Sequence, residues 1–195
     1  MPARVVTAVA LRADQRLAVE LDGEPWVVLD AVTALRLGLD VDAAIDAATQ
    51  AEAERIATEE RALRRAARLL GRRSHATGEL EGKITRADGP DAARAAVERL
   101  AELGAVDDER HAAQVARQRL ADGWGPLRIR HDLEAAGVEP GLVEAALQDL
   151  DPAEVDAAAA RAVGSRSGAE AWRRLVARGF DEDATERLLG LPPDA

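Results

Sequence analysis

The chain has 195 residues, no cysteine and a formal net charge of −10, which excludes disulfides, zinc ribbons and thiol catalysis. With 47% hydrophobic and 32% charged residues, it is neither collagen-like nor wholly disordered. Only 2% of the residues are aromatic, and because aromatic side chains carry much of the area of a large core, we expect several small helical cores instead. No apolar run suits a signal peptide or a membrane span, so the sequence predicts a soluble, cytoplasmic protein.

The N-terminal residues 1–40 predict a β-hairpin region. Apolar and other residues alternate over 17–21, which is the period of a half-buried strand, and residues 26–29 supply the returning strand. Asp22-Gly23 between them is a strong turn signal, because Gly adopts a positive φ without steric cost. Residues 5–11 are a candidate third strand.

The rest of the chain has the composition of helices. A short helix is predicted over 31–37 and a long, nearly continuous one over 41–70. Beyond it, prolines stand where helices should begin and glycines where they should end, as helix termini favour. The predicted starts are Pro90, Pro126, Pro140 and Pro152, and the predicted ends are Gly71, Gly104, Gly137 and Gly179.

An internal repeat organises these helices. The stretch 133–138 recurs 42 residues later at 175–180, with the leucine and the glycine in the same places, and a weaker copy precedes both. Such repeats indicate stacked supersecondary units. The predicted fold is therefore mainly α, a tandem array of three three-helix repeats preceded by a small β-hairpin region and a long helix. The predicted boundaries are 1–40 for the hairpin region, 41–59 for a helical connector, and 60–104, 105–150 and 151–195 for the three repeats.

No constellation of catalytic residues is found in the sequence. The three histidines, His75, His111 and His131, lack the spacing of a metal-binding helix. Neither a glycine-rich phosphate loop nor a nucleophile elbow occurs, and the pair Asp107-Asp108 is interpreted as a helix cap. We therefore predict that the protein is not an enzyme and has no catalytic residues, no cofactor and no metal site.

A stripe of arginines is the strongest sign of a binding surface. Residues 61–104 hold 10 basic and 6 acidic residues, so a basic segment lies within an acidic chain. At 100° per residue, five arginines of the predicted long helix share an arc of about 100°. Guanidinium groups in a row suit phosphate or carboxylate recognition, and the alternative is a solvated helix face. The stripe consists of Arg61, Arg64, Arg65, Arg68 and Arg72, and Arg73 and Lys83 lie nearby in the sequence.

A tryptophan between two glycines is the second candidate contact. Trp124 lies in the segment Gly123-Trp-Gly-Pro126, which is followed by Arg128 and Arg130. An exposed indole there would stack on a nucleobase or on a partner surface. The alternative is that the ring folds back onto its own pair of helices.

Three blocks of residues together resemble a known protein family. The stretch 103–112, which reads LGAVDDERHA, is similar to the leucine-Gly-x-hydrophobic-Asp-Asp-x-x-aromatic-Ala signature of the RecX regulatory proteins. The stretch 125–138 resembles the second block of that family, and 72–84 resembles its first block. Three positions depart from the family pattern, namely His111 in place of an aromatic residue, Ala76 in place of a capping serine, and Asp88-Gly89 in place of Gly-aromatic. These departures predict a looser first repeat.

The resemblance implies a non-enzymatic modulator of RecA recombinase. Family members are elongated, curved helical arrays that bind in the groove of the RecA filament on single-stranded DNA and usually inhibit its growth, recombination activity and SOS functions. The resemblance thus predicts two partners, the RecA filament and the single-stranded DNA within it, for a monomeric protein. The alternatives are a helix-turn-helix-like regulator that binds duplex DNA and a helical scaffold unrelated to DNA. Two observations argue against a duplex-DNA regulator. The chain is acidic overall, and Arg128 and Arg130 lie about 200° apart on a helix, so they do not share one face toward a groove.

Overall fold

The computed structural model describes residues 4–190, and this part of the chain is mainly helical. Its strands are β1 (Arg4–Leu11), β2 (Arg16–Leu21), β3 (Glu24–Asp30) and β4 (Ala44–Ile45). Its helices are α1 (Ala31–Arg36), α2 (Ala47–Leu70), α3 (Thr77–Asp88), α4 (Pro90–Glu102), α5 (Asp108–Ala121), α6 (Pro126–Ala135), α7 (Pro140–Gln148), α8 (Pro152–Val163), α9 (Gly168–Ala177) and α10 (Glu182–Leu189). The four prolines predicted to open helices are each the first residue of one.

The chain divides into two compact units. The described part of the first unit is residues 4–71 with 81–102, and that of the second is residues 72–80 with 103–190. The boundary between them falls within α3. The five-part division of the sequence given above stays a prediction.

The first unit contains a four-stranded antiparallel sheet in the order β3-β2-β1-β4. The predicted hairpin is confirmed: Asp22 and Gly23 have φ values of 52° and 84°, as a two-residue turn between twisted strands requires. The alternating residues of β2 and β3 form the buried side, and they pack with α1 and the first half of α2. The predicted third strand is present as β1.

The predicted long helix begins later than expected, so the prediction of helix over residues 41–46 was wrong. Residues 44 and 45 pair with β1 instead, and Asp46 caps α2 by accepting a hydrogen bond from the Thr49 N–H at 2.7 Å. An aspartate at this position satisfies an otherwise unpaired N–H of the first turn, which fixes the start of the helix at Ala47.

The second unit contains α5 to α10 around one cluster of buried residues that runs from Ala76 to Phe180. The repeat seen in the sequence is a repeat of structure. Leu133 and Leu175 are both buried, and their carbonyls accept hydrogen bonds at 3.1 Å from the N–H groups of Val138 and Phe180. Both helix ends use a glycine with positive φ, as in a Schellman motif.

Two joints between glycines connect helices of the second unit that are distant in the sequence. A Cβ on Gly125, just before α6, would lie 2.4 Å from the carbonyl atoms of Gly179, which follows α9. The Gly125 N–H donates to the Arg178 carbonyl at 2.8 Å. In the same way, a Cβ on Gly78 in α3 would lie 3.0 Å from the Cα of Gly137, which follows α6. At Gly125 the backbones approach so closely that only glycine fits, and at Gly78 a side chain would force its neighbour to shift.

Candidate functional site

The arginine stripe is only partly a free cationic face. Arg61 and Arg65 each donate a hydrogen bond of 2.7 Å to the same carboxylate, that of Asp88 at the end of α3. Helix α2 ends at Leu70 with Gly71 as its cap, so Arg72 lies beyond the helix and not on the predicted stripe. The pairing was hidden in the sequence because Asp88 lies 27 and 23 residues away from the two arginines.

Asp88 joins α2 to the turn between α3 and α4. Its side chain is fully buried, and burial alone would raise its pKa. The hydrogen bonds and charges of Arg61 and Arg65 outweigh burial, so the pKa of Asp88 lies below its ordinary value. The departure from the family pattern at this position therefore supplies an ion-paired anchor within the first unit.

Arg64 lies at a cleft of about 500 Å³ between α2 and the sheet. Its guanidinium shares the Glu60 carboxylate with Arg16, at 3.2 Å and 2.8 Å. Burial and the nearby charge of Arg16 both lower the pKa of Arg64. The arginines at this cleft are balanced by carboxylates, since Asp14 pairs with Arg12 and Asp88 with Arg61.

The other predicted cations of this region differ in how they are paired. Arg68 and Arg72 are exposed, and neither has an ion pair within residues 4–190. Arg73 forms a two-pronged contact with the Glu79 carboxylate, and Lys83 is half-buried on α3. Their role as partner contacts stays a prediction.

Trp124 folds back onto the second unit, as one of the two interpretations of its motif predicted. The ring packs against the buried cluster, and the guanidinium carbons of Arg178 and Arg128 lie 4.4 Å and 5.4 Å from its centroid. Arg128 also pairs with Asp132 at 3.0 Å, and Arg130 pairs with Glu144. These three predicted contact residues are thus engaged within the protein, and their binding role stays a prediction.

A second group of cations, which we call the third-repeat arginine cluster, was not predicted from the sequence. Its members, Arg161, Arg166, Arg174 and Arg178, line one cleft of about 220 Å³ with Gly123. They come from α8, the loop after it, the last turn of α9 and the residue that caps α9. Only the i,i+4 spacing of Arg174 and Arg178 gave a signal in the sequence, since the other two arginines reach the cleft through the fold.

Two negative findings apply to residues 4–190. No group of three or more His, Cys, Asp or Glu side chains in this part of the chain is placed to hold a metal ion. No helix among these residues is both long and apolar enough to cross a membrane.

A family model and the relatives found by sequence agree on one family. The family model described as RecX, second three-helix domain, matches residues 107–147. The regulatory protein RecX of Stenotrophomonas maltophilia (strain K279a) is 33% identical over 146 residues, which are 70% of this chain and 90% of the relative. The regulatory protein RecX of Xanthomonas campestris pv. campestris (strain B100) is 47% identical over 94 residues, 48% of this chain. That match spans 58% of the Xanthomonas protein, less than two thirds of its length.

The fold is shared with two crystal structures. That of a regulatory protein RecX superposes with a TM-score of 0.72 at 17% identity, over 95% of this chain and 98% of the other. That of RecX from Lactobacillus salivarius gives a TM-score of 0.60 at 17% identity, over 68% of this chain and 95% of the other. At such low identity the likeness concerns the fold alone.

Proposed function

The chain belongs to the RecX family, and on this premise we propose that it is a non-enzymatic regulator of the RecA recombinase filament. It binds the filament formed on single-stranded DNA and inhibits filament growth, and with it recombination and the SOS response. The observation that carries the proposal is the 33% identity to a regulatory protein RecX over 90% of that relative.

The ion pairs of the second block favour this proposal over a duplex-DNA reader. A recognition helix needs side chains that reach base edges in the major groove. Arg128 and Arg130 are the arginines of α6, and both are held by carboxylates, Asp132 and Glu144. A net charge of −10 also opposes tight binding to bare duplex, because few cations are available to displace counterions.

A binding and activity assay tests the proposal. The full chain is titrated against bare duplex, bare single strand and RecA-coated single strand in gel shifts, and against DNA-stimulated ATP hydrolysis by RecA. We expect the tightest binding to the coated strand at about 150 mM salt, together with inhibition of hydrolysis. Tight binding to bare duplex supports the helix-turn-helix alternative. Binding to none of the three supports a scaffold unrelated to DNA, and either result overturns the proposal.

A further inference from the structure

The third-repeat arginine cluster has an excess of positive charge that the α2 cleft lacks. Its four guanidiniums face two carboxylates, those of Asp122, which lines the cleft, and Glu170, which pairs with Arg166 at 3.1 Å. Every arginine that lines the α2 cleft is ion-paired with a carboxylate. Arginine stays protonated at any physiological pH, so the excess charge in the third repeat is permanent.

The cluster is also pre-positioned. Arg178 lies over the Trp124 ring, and its Nη1 donates to the carbonyls of Asp122 and Gly123 at 3.2 Å and 3.5 Å. Arg174 donates through Nε to the Ala162 carbonyl at 3.4 Å. These contacts fix the guanidiniums in place, and because each guanidinium has five N–H donors, most of the donors remain for a ligand.

Arg166 and Arg161 complete the cluster from α8 and its C-terminal loop. Arg166 donates through Nη1 to the Val163 carbonyl at 3.2 Å. Arg161 is exposed at the cleft and makes no hydrogen bond or ion pair within residues 4–190. A guanidinium that makes no hydrogen bond or ion pair in this part of the chain is available for an anion.

The size of the cleft limits the ligand. Its volume of about 220 Å³ is below the roughly 300–1,000 Å³ of pockets that enclose drug-sized molecules, so it takes a small anion and not a whole nucleotide. The forked geometry of guanidinium matches the oxygens of a phosphate group. The guanidiniums of Arg178 and Arg128 already lie over the nearby Trp124 ring, so a base would have to displace a cation to stack there.

We propose that the third-repeat arginine cluster is a phosphate-binding site that anchors one phosphodiester group of a nucleic-acid strand, without regard to its bases. The assignment of the phosphate to a strand rests on the proposed function, in which the partner filament carries single-stranded DNA. The site adds a contact point far along the chain from the arginine stripe of α2.

Binding of a fluorescently labelled oligothymidylate of about 20 nucleotides to the full chain, without RecA, tests the site. We expect Arg161→Gln and Arg174→Gln to weaken binding about tenfold each, since each removes a charge-assisted contact. The double variant should lower the slope of log affinity against log salt by only about 0.7, because both arginines contact one phosphate. Arg173→Gln is the matched control: Arg173 is the exposed neighbour of Arg174 on α9, and its Nε donates to the Ala169 carbonyl at 3.2 Å. It should bind within twofold of the unmodified chain.

Melting temperatures with inorganic phosphate and pyrophosphate identify the source of the anion. The proposed site is overturned if all variants bind the oligonucleotide with equal affinity, or if the unmodified chain does not bind it at low salt. This holds even if RecA is still inhibited. Pyrophosphate could stop stabilising Arg161→Gln while this variant still binds the oligonucleotide as the unmodified chain does. That result assigns the cleft to free phosphates and overturns the nucleic-acid assignment. If the variants lose oligonucleotide affinity as expected but the unmodified chain does not inhibit RecA, the phosphate site is supported and the proposed function is overturned.

Discussion

His111 is a buried titratable group on α5 whose neighbours explain its behaviour. Its Nδ1 lies 3.0 Å from the Ser74 hydroxyl oxygen, and burial lowers its pKa from the ordinary 6.5. The carboxylates of Asp108 and Glu79 raise the pKa by a smaller amount, and the cationic neighbours lower it further. A neutral imidazole is thus the form that the folded chain favours at neutral pH.

The stability of the fold should therefore depend on pH through His111. Because folding lowers its pKa, the unfolded chain binds more protons, and the free energy of unfolding falls as the pH drops below about 6.5. In His111→Phe, which restores the aromatic residue of the family pattern, this contribution is absent. Urea unfolding at pH 7.5 and 5.5 should show a smaller acid loss in the variant, whereas parallel losses in both proteins would contradict the assignment.

The exposed arginines allow a direct test of the predicted partner contacts. Arg68→Gln and Arg72→Gln should each weaken inhibition of RecA about three- to fivefold, the usual effect of a peripheral charge of about 1 kcal/mol. Arg86→Gln is the matched control, because Arg86 is exposed, has no ion pair within residues 4–190, and lies in the last turn of its helix as Arg68 does. If the control weakens inhibition equally, the effect belongs to net charge and not to the stripe.

At the scale of elements, Asp88 fixes α2 to the turn between α3 and α4. Asp88→Asn keeps the shape of the side chain but leaves the guanidiniums of Arg61 and Arg65 without their counter-charge. We expect a loss of about 2 kcal/mol in the free energy of unfolding, as for charge-assisted hydrogen bonds from partly exposed arginines to a buried carboxylate. The control is Asp91→Asn, because the Asp91 side chain is 96% exposed. Its free energy of unfolding, measured for both variants by urea titration, should stay within about 0.5 kcal/mol of that of the unmodified chain. Equal losses in the two variants would remove the anchoring role.

The joint between α6 and the end of α9 depends on the absence of a side chain at Gly125. In Gly125→Ala the new Cβ would meet backbone atoms of Gly179 and Phe180 at 2.4–2.5 Å, and backbone cannot rotate away. We expect the free energy of unfolding of this variant to fall by about 1–3 kcal/mol. Gly82→Ala in α3 is the control, because a Cβ at Gly82 would have nothing within 4 Å. Its free energy of unfolding should rise by about 0.5–1 kcal/mol, since alanine has the higher helix propensity. Thermal unfolding that shifts both variants in the same direction would contradict the close packing.

At the scale of the whole molecule, local signals predicted the elements and long-range contacts escaped prediction. Proline and glycine positions located helix ends because they act on the backbone of their own residue. The start of α2 was missed because Asp46 as a cap outweighed the helical composition of residues 41–45. The pairing of Asp88 and the gathering of Arg161 and Arg178 join residues that only the fold brings together. The family pattern was visible because its blocks coincide with helix ends, which local chemistry constrains.

The repeated glycine joints bear on how such a chain can lengthen in evolution. Each joint consists of the start of one helix and a turn of the next predicted three-helix repeat, here called a module, as in Gly78 with Gly137 and Gly125 with Gly179. A gene duplication that copies one module copies both halves of the joint. The new module would meet its neighbour through surfaces that natural selection has already fitted to each other, so an array can gain a member without inventing an interface.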